Sequence, residues 1–346
     1  MKNEKQKLKR LFILFLTTLF LLTLTACGNQ KPATMDIFAM DTYMSLVAYG
    51  KEAQAALDDS TRAINLLEAE ISRTREGSDV DTLNKTGTWH GSADGTDATA
   101  DILRQALQYS AETGGLFDVT IAPLVLLWNI TGNTPYVPAR EEIEALLPLV
   151  GSDHLHLGSG NTAALDAGCA VDLGGIGKGY ASDLVRLMME AHGIESGTVS
   201  LGGNVYVRGS KPDGKPWNVG IQDPAGGDCA AYVSLTDAFV VTSGGYQRYY
   251  TAPDGTVYQH ILDPRTGAPA QSDLASVSII TTDSGTRADA YSTALYIMGE
   301  QGAIDFWRSH GDFDMILITA DGRVLYTPGL TVTIPEGSTY DFQALA

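Results

Sequence analysis

Between residues 198 and 281 the chain offers five stretches of strand character, at 198–208, 217–222, 232–235, 239–242 and 275–281, and no helical pattern separates them. Consecutive strands return on each other through short turns and pair antiparallel, whereas a parallel sheet needs a helical crossover after each strand. The spacing therefore predicts an α+β fold with largely antiparallel sheets and packed helices, not a doubly wound one. Helical periodicity lies outside that run. Residues 53–71 carry Ala56, Ile64, Leu67 and Ile71 on one face, and residues 101–113 end at Gly114-Gly115. Further helices are expected at 140–150, 179–192, 286–298 and 301–308, with strands at 44–49, 170–173, 315–319 and 324–326. Residues 78–88 are polar and read as turns, and the length suits one large domain or two intimately joined lobes.

The amino terminus is of another kind. Lys2, Lys5, Lys7, Lys9 and Arg10 precede an uncharged apolar run of 14 residues, Leu11 to Leu24. That is a secretory layout, too short for the roughly 20 residues of a spanning helix. The run ends in Leu24-Thr25-Ala26-Cys27, similar to a bacterial lipobox. The similarity implies cleavage after residue 26, a lipidated Cys27, a tether over 27–34 and a folded domain over 35–346. Loss of the leader's five positive and one negative charges takes the net charge from −18 to −22. Nucleic acid and bare anionic surfaces are disfavoured as partners by repulsion, and an anionic ligand needs local cations. Cys169 and Cys229 form neither a disulfide framework nor a zinc or redox spacing.

Three segments carry candidate chemistry. DLGGIGKGY, Asp172 to Tyr180, puts four glycines and Lys178 between an expected strand and an expected helix, a loop suited to a phosphate but equally to a tight turn. In RADAYSTALYIMG, Asp289 and Thr293 stand four residues apart on one helix face, where two hard oxygens suit Mg²⁺ as well as an ordinary helix start. QHILDPRTGAPA gathers His260, Asp263 and Arg265 around a turn, with His260 able to act as acid, base or phosphate donor. TSGGYQRYY adds aromatics and Arg248 after a strand, and SLGGN puts glycines inside a strand pattern, a mark of a bulge or a close approach. Trp128 suits either core or stacking on a flat ring, and the other five histidines read as surface residues.

In order, FAMDTY (38–43), FDVTIAPLVLLW (117–128), VDLGGIGKGYASD (171–183), SLGGN (200–204), TSGGYQRYY (242–250), HILDPRTGAPA (260–270) and ADAYSTALYIMG (288–299) resemble the ApbE family of FAD:protein FMN transferases. The resemblance implies Mg²⁺ bound by the Gly175 carbonyl, Asp289 and Thr293. It also implies FAD near Met40, Trp128, Asp172, Lys178, Ser243 and His260, with His260 or Asp289 catalytic. Thr74 stands where many relatives have a tyrosine against the ring, and Gly177 where they often have alanine.

The implied reaction moves FMN from FAD to a threonine of an extracytoplasmic acceptor protein carrying a Ser/Thr/Asp-Gly-Ala-Ser/Thr-x-Thr stretch, releasing AMP. Hydrolysis of FAD by water is an implied side activity. A flavin- or solute-binding lipoprotein without chemistry would use the same glycine loop but has no need of Asp289 with Thr293. As an acceptor itself the chain fits poorly, because Thr266-Gly267-Ala268-Pro269 has proline where a hydroxyl is required.

Overall fold

The strand-rich run from residue 198 builds the middle of a nine-stranded sheet. In the computed structural model, which describes residues 31–92 and 97–346, chain order begins with a hairpin of β1 (Ala33–Ala39) and β2 (Thr42–Tyr49). A small three-stranded sheet contains β3 (Thr88–His90), β4 (Leu155–Gly158) and β5 (Thr162–Leu165). Next come β6 (Ser196–Leu201), β7 (Asn204–Gly209), β8 (Trp217–Gln222), β9 (Cys229–Leu235) and β10 (Ala238–Gly244). A short hairpin, β11 (Tyr249–Thr251) with β12 (Val257–Gln259), precedes β13 (Leu274–Thr281). The chain closes with β14 (Asp314–Thr319), β15 (Arg323–Tyr326), β16 (Val332–Thr333) and β17 (Asp341–Ala344). The large sheet runs β1-β2-β6-β7-β10-β13-β14-β15-β17, antiparallel at every pairing except β15 with β17. The α+β expectation with largely antiparallel sheets holds.

Seven helices accompany the sheets among the described residues: α1 (Ala53–Ile71), α2 (Asp79–Thr86), α3 (Ala98–Glu112), α4 (Ala122–Trp128), α5 (Arg140–Leu146), α6 (Gly177–Ala191) and α7 (Gly285–His310). The apolar face read on α1 is the buried one: Ala56, Ile64, Leu67 and Ile71 all turn inward. In α7 the two helices expected at 286–298 and 301–308 meet at Gly299, whose φ of 76° breaks the helical path.

The two faces of the large sheet bury different clusters. Phe239 and Val241 of β10 point into the main core with α1, α6 and α7, while Val240 between them joins Val219, Ile221 and Val233 of β8 and β9 on the opposite face. Alternation with both faces covered explains the unbroken apolar run Met315 to Ile318 in β14, where Met315 and Leu317 face one cluster, Ile316 and Ile318 the other. Ala33–Ala346 forms one compact unit, with a third small cluster of Leu124, Trp128, Ile130 and Leu262.

Several expectations need correction. Residues 78–88 are not turns: Ser78 caps α2 by accepting from the Asp81 amide at 2.9 Å, Asp79 and Asp81 suit the first turn, and Val80 and Leu83 bury its inner side. Residues 170–173 join no sheet. Val171 is bracketed by the Asn84 side chain, which accepts from its N–H at 2.7 Å and donates to its carbonyl at 2.9 Å. SLGGN holds a hairpin turn between β6 and β7 rather than a bulge, while its other reading, a close approach, holds at Gly202 against Thr42. β1 starts at Ala33, two residues inside the expected tether, while Cys27 and the leader lie outside the described residues.

Candidate active site

The site starts from a contact with no side chain in it. The N-terminal turns of α6 and α7 approach so closely that a Cβ on Gly179 would lie 2.3 Å from the Gly285 carbonyl oxygen. Only glycine fits there, and the crossing lets Asp289, one turn into α7, accept from the Gly179 amide at 2.8 Å through Oδ2. Asp289 is 4% exposed. One turn further, Thr293 lies beside the loop, its Oγ1 3.9 Å from the position of a Cβ on Gly175. Ser243, near the end of β10, completes this corner with its Oγ 2.8 Å from Ser292 and 3.4 Å from Thr293 Oγ1.

These groups line a cleft of about 380 Å³. Every site residue that the resemblance implies within the described region lines it: Met40, Trp128, Asp172, Gly175, Lys178, Ser243, His260, Asp289 and Thr293, as does Thr74, whereas Asp263 and Arg265 pair with each other outside its lining. Met40 sits in the β1–β2 turn at φ 50°, next to Asp41 at φ 55°, and two contacts hold this left-handed turn. Glu68 accepts from the Met40 amide at 2.7 Å, and Arg248 donates to the Asp41 carbonyl at 3.0 Å. Trp128 meets its core reading. It borders the cleft, yet it is 3% exposed, and its indole N–H donates to the Gly267 carbonyl at 2.8 Å.

His260 follows β12, and its Nδ1 lies 3.1 Å from the Arg248 carbonyl. The carbonyl can only accept, so Nδ1 carries the proton and Nε2 keeps its lone pair. Burial, then the positive charges of Arg248 and Lys178, push its pKa down to about 4. The imidazole is neutral at pH 7. The remaining five histidines sit apart: His90 is exposed at the end of β3, His154 and His156 share Asp166, His192 pairs with Asp59, and His310 stacks on Phe306. No group of three or more metal-ligating side chains occurs among the described residues.

The glycine loop has fewer free donors than its sequence suggests. Gly174 N–H goes to Asp172 Oδ1, Ile176 and Gly177 to the Leu173 carbonyl, and Gly179 to Asp289. Side chains must therefore carry more of the charge balance. Sequence reasoning missed Arg73, whose Nε donates to Asp172 Oδ2 at 2.6 Å, and left Arg248 without a role. The need of an acidic chain for local cations was the signal that pointed toward them. Five carboxylates (Asp41, Glu68, Asp118, Asp172, Asp289) line the cleft against three cationic side chains (Arg73, Lys178, Arg248). A diphosphate entering alone would meet net repulsion. One buried carboxylate with the Thr293 and Ser243 hydroxyls near it, and the Gly175 backbone beside Thr293, is a donor set that fits Mg²⁺, which takes its other ligands from phosphate and water.

A sequence model of the ApbE family matches residues 40–317. The FAD:protein FMN transferase of Treponema pallidum is 33% identical over 301 residues, covering 81% of either chain. The crystal structure of the ApbE protein from Thermotoga maritima aligns with a TM-score of 0.78 at 30% identity, covering 88% of this chain and 97% of that one. The flavin transferase ApbE from Vibrio cholerae aligns at 0.74 with 26% identity, covering 89% and 98%.

Proposed function

Since the chain belongs to the ApbE family, we propose that it is an FAD:protein FMN transferase, which moves FMN from FAD to a threonine of another extracytoplasmic protein and releases AMP. The observation that carries this reading is the convergence of Lys178, His260, Asp289 and Thr293, from three separate segments, on one cleft.

Asp289, Thr293 and the Gly175 carbonyl would hold Mg²⁺, which when bound neutralises charge on the diphosphate and orients it. Lys178 and Arg248 supply fixed positive charge beside it. The acceptor threonine oxygen bonds to the FMN phosphorus as the bond from that phosphorus to the AMP oxygen breaks, and the electron pair leaves with AMP. The hydroxyl proton passes to Nε2 of His260. That atom suits the role because its ring is neutral and oriented by the Arg248 carbonyl. Asp289, the other candidate base, has Oδ2 committed to Gly179, which favours His260.

The basic and apolar leader ending in Cys27 supports attachment by lipid to the extracytoplasmic face of the membrane. Among the described residues no helix is long and apolar enough to cross a membrane.

The decisive variant is Asp289→Asn. Its amide oxygen still accepts from Gly179, so the fold is kept while the charge is lost. Transfer, read as in-gel flavin fluorescence of an acceptor protein and as AMP released, should fall by about a hundredfold or more. Turnover equal to wild type would remove the cation from the account.

A further inference from the structure

Asn204 opens β7 directly after the Gly202–Gly203 turn, in register with Val241 of β10. The turn is tight, with φ of 61° and 97°, and a Cβ on Gly202 would strike Thr42 Oγ1 at 2.0 Å. The Gly203 carbonyl accepts from Thr242 N at 3.0 Å, which fixes the start of the strand. Asn204 is thus held on a central strand of the large sheet, lines the cleft, and is 1% exposed. Its Oδ1 is buried without a hydrogen-bond partner. Eight buried side-chain atoms among the described residues lack a partner, and this one alone belongs to a residue lining the cleft.

Its neighbours on that wall are already paired. Thr242 Oγ1 lies 2.7 Å from Ser278 Oγ, and Ser243 Oγ 2.8 Å from Ser292 Oγ. A buried amide with unmet capacity is costly to keep, and leucine would fill similar volume without that cost. A ligand that completes the pairing explains why the amide is kept. A phosphate offers only acceptors and is no match for a carbonyl. The edge of a nitrogen heterocycle presents a donor and an acceptor side by side, which a carboxamide can pair with two-pronged.

We propose that Asn204 is a substrate-recognition residue that reads the donor–acceptor edge of one of the two ring systems of FAD. The proposal rests on the reading that FAD occupies this cleft. Both the flavin pyrimidine ring and adenine carry such an edge, and the two halves of the substrate tell them apart.

FAD binding is measured by flavin fluorescence for wild type, Asn204→Leu and Asn204→Ser, with FMN and ADP as separate competitors and melting curves alongside. Asn204→Leu should weaken FAD binding about tenfold or more, melt no lower than wild type, and weaken FMN or ADP alone, which names the ring. If the leucine variant does not fold, the smaller serine carries the test with the same expected weakening. Equal FAD affinity in the folded variants, or weaker FAD binding with FMN and ADP both unchanged, would overturn the proposal and leave the transferase reading standing. A wild-type protein that binds no FAD would bring down both.

Discussion

Asp289 shows how little of a site one residue's neighbours in sequence disclose. Four positions separate it from Thr293, and that spacing marked the pair; its bond to Gly179 spans 110 residues and could not be read from the chain. Arg73 escaped for the same reason, since its partner Asp172 is 99 residues away and no local pattern sets it apart from any surface arginine. His260 was legible as a candidate, but its low pKa was not, because the causes are burial and the charges of Arg248 and Lys178. That pKa makes a prediction at this scale. In kcat/KM, which reports the free enzyme, the acid limb should fall near pH 4 rather than near the ordinary imidazole value of about 6.5, and His260→Asn should lose activity across the whole range. For stability the sign is fixed as well. A histidine whose folded pKa is depressed leaves the unfolded chain binding more protons between about 6.5 and 4, so stability falls as pH drops through that window. Urea titrations at stepped pH should show a smaller acid loss for His260→Asn than for wild type.

Elements were legible in proportion to their length and the regularity of their burial. The first helix, Ala53–Ile71, was read to the residue because 19 positions repeat one buried face. The eight-residue α2 was missed, since two buried apolar side chains make no period and its signal is the Ser78 cap. Residues 170–173 imitate a strand because buried Val171 and Leu173 alternate with the less buried Ala170 and Asp172, but the partner of Val171 is a side chain rather than a ladder. Strands β11, β12 and β16 have three, three and two residues, too few for alternation to show. The α6–α7 crossing carries the prediction at this scale. Gly179→Ala puts a methyl group 2.3 Å from the Gly285 oxygen and 2.7 Å from Asp289 Cβ, so the helices must separate. A loss of about 1–3 kcal/mol is expected from such overpacking, seen as a lower midpoint in chemical unfolding, with transfer activity falling further than stability because Asp289 moves with its helix.

At the scale of the molecule, one compact unit from Ala33 to Ala346 holds all the chemistry, and the sequence placed its motifs at nearly every wall of the cleft. The proposed anchoring is separable from it. Cys27→Ser should move the protein from the membrane fraction to the soluble extracytoplasmic fraction while purified protein transfers FMN at the wild-type rate; retention of the variant with membranes would show that lipid on Cys27 is not the attachment. The helix crossing at Gly179 and Gly285 has one more consequence. Backbone against backbone leaves no rotamers to relax, so the wall bearing Lys178, Asp289 and Thr293 behaves as an anvil. A ligand entering the cleft therefore meets fixed spacing on this side, and any adjustment to its shape falls to side chains elsewhere on the lining.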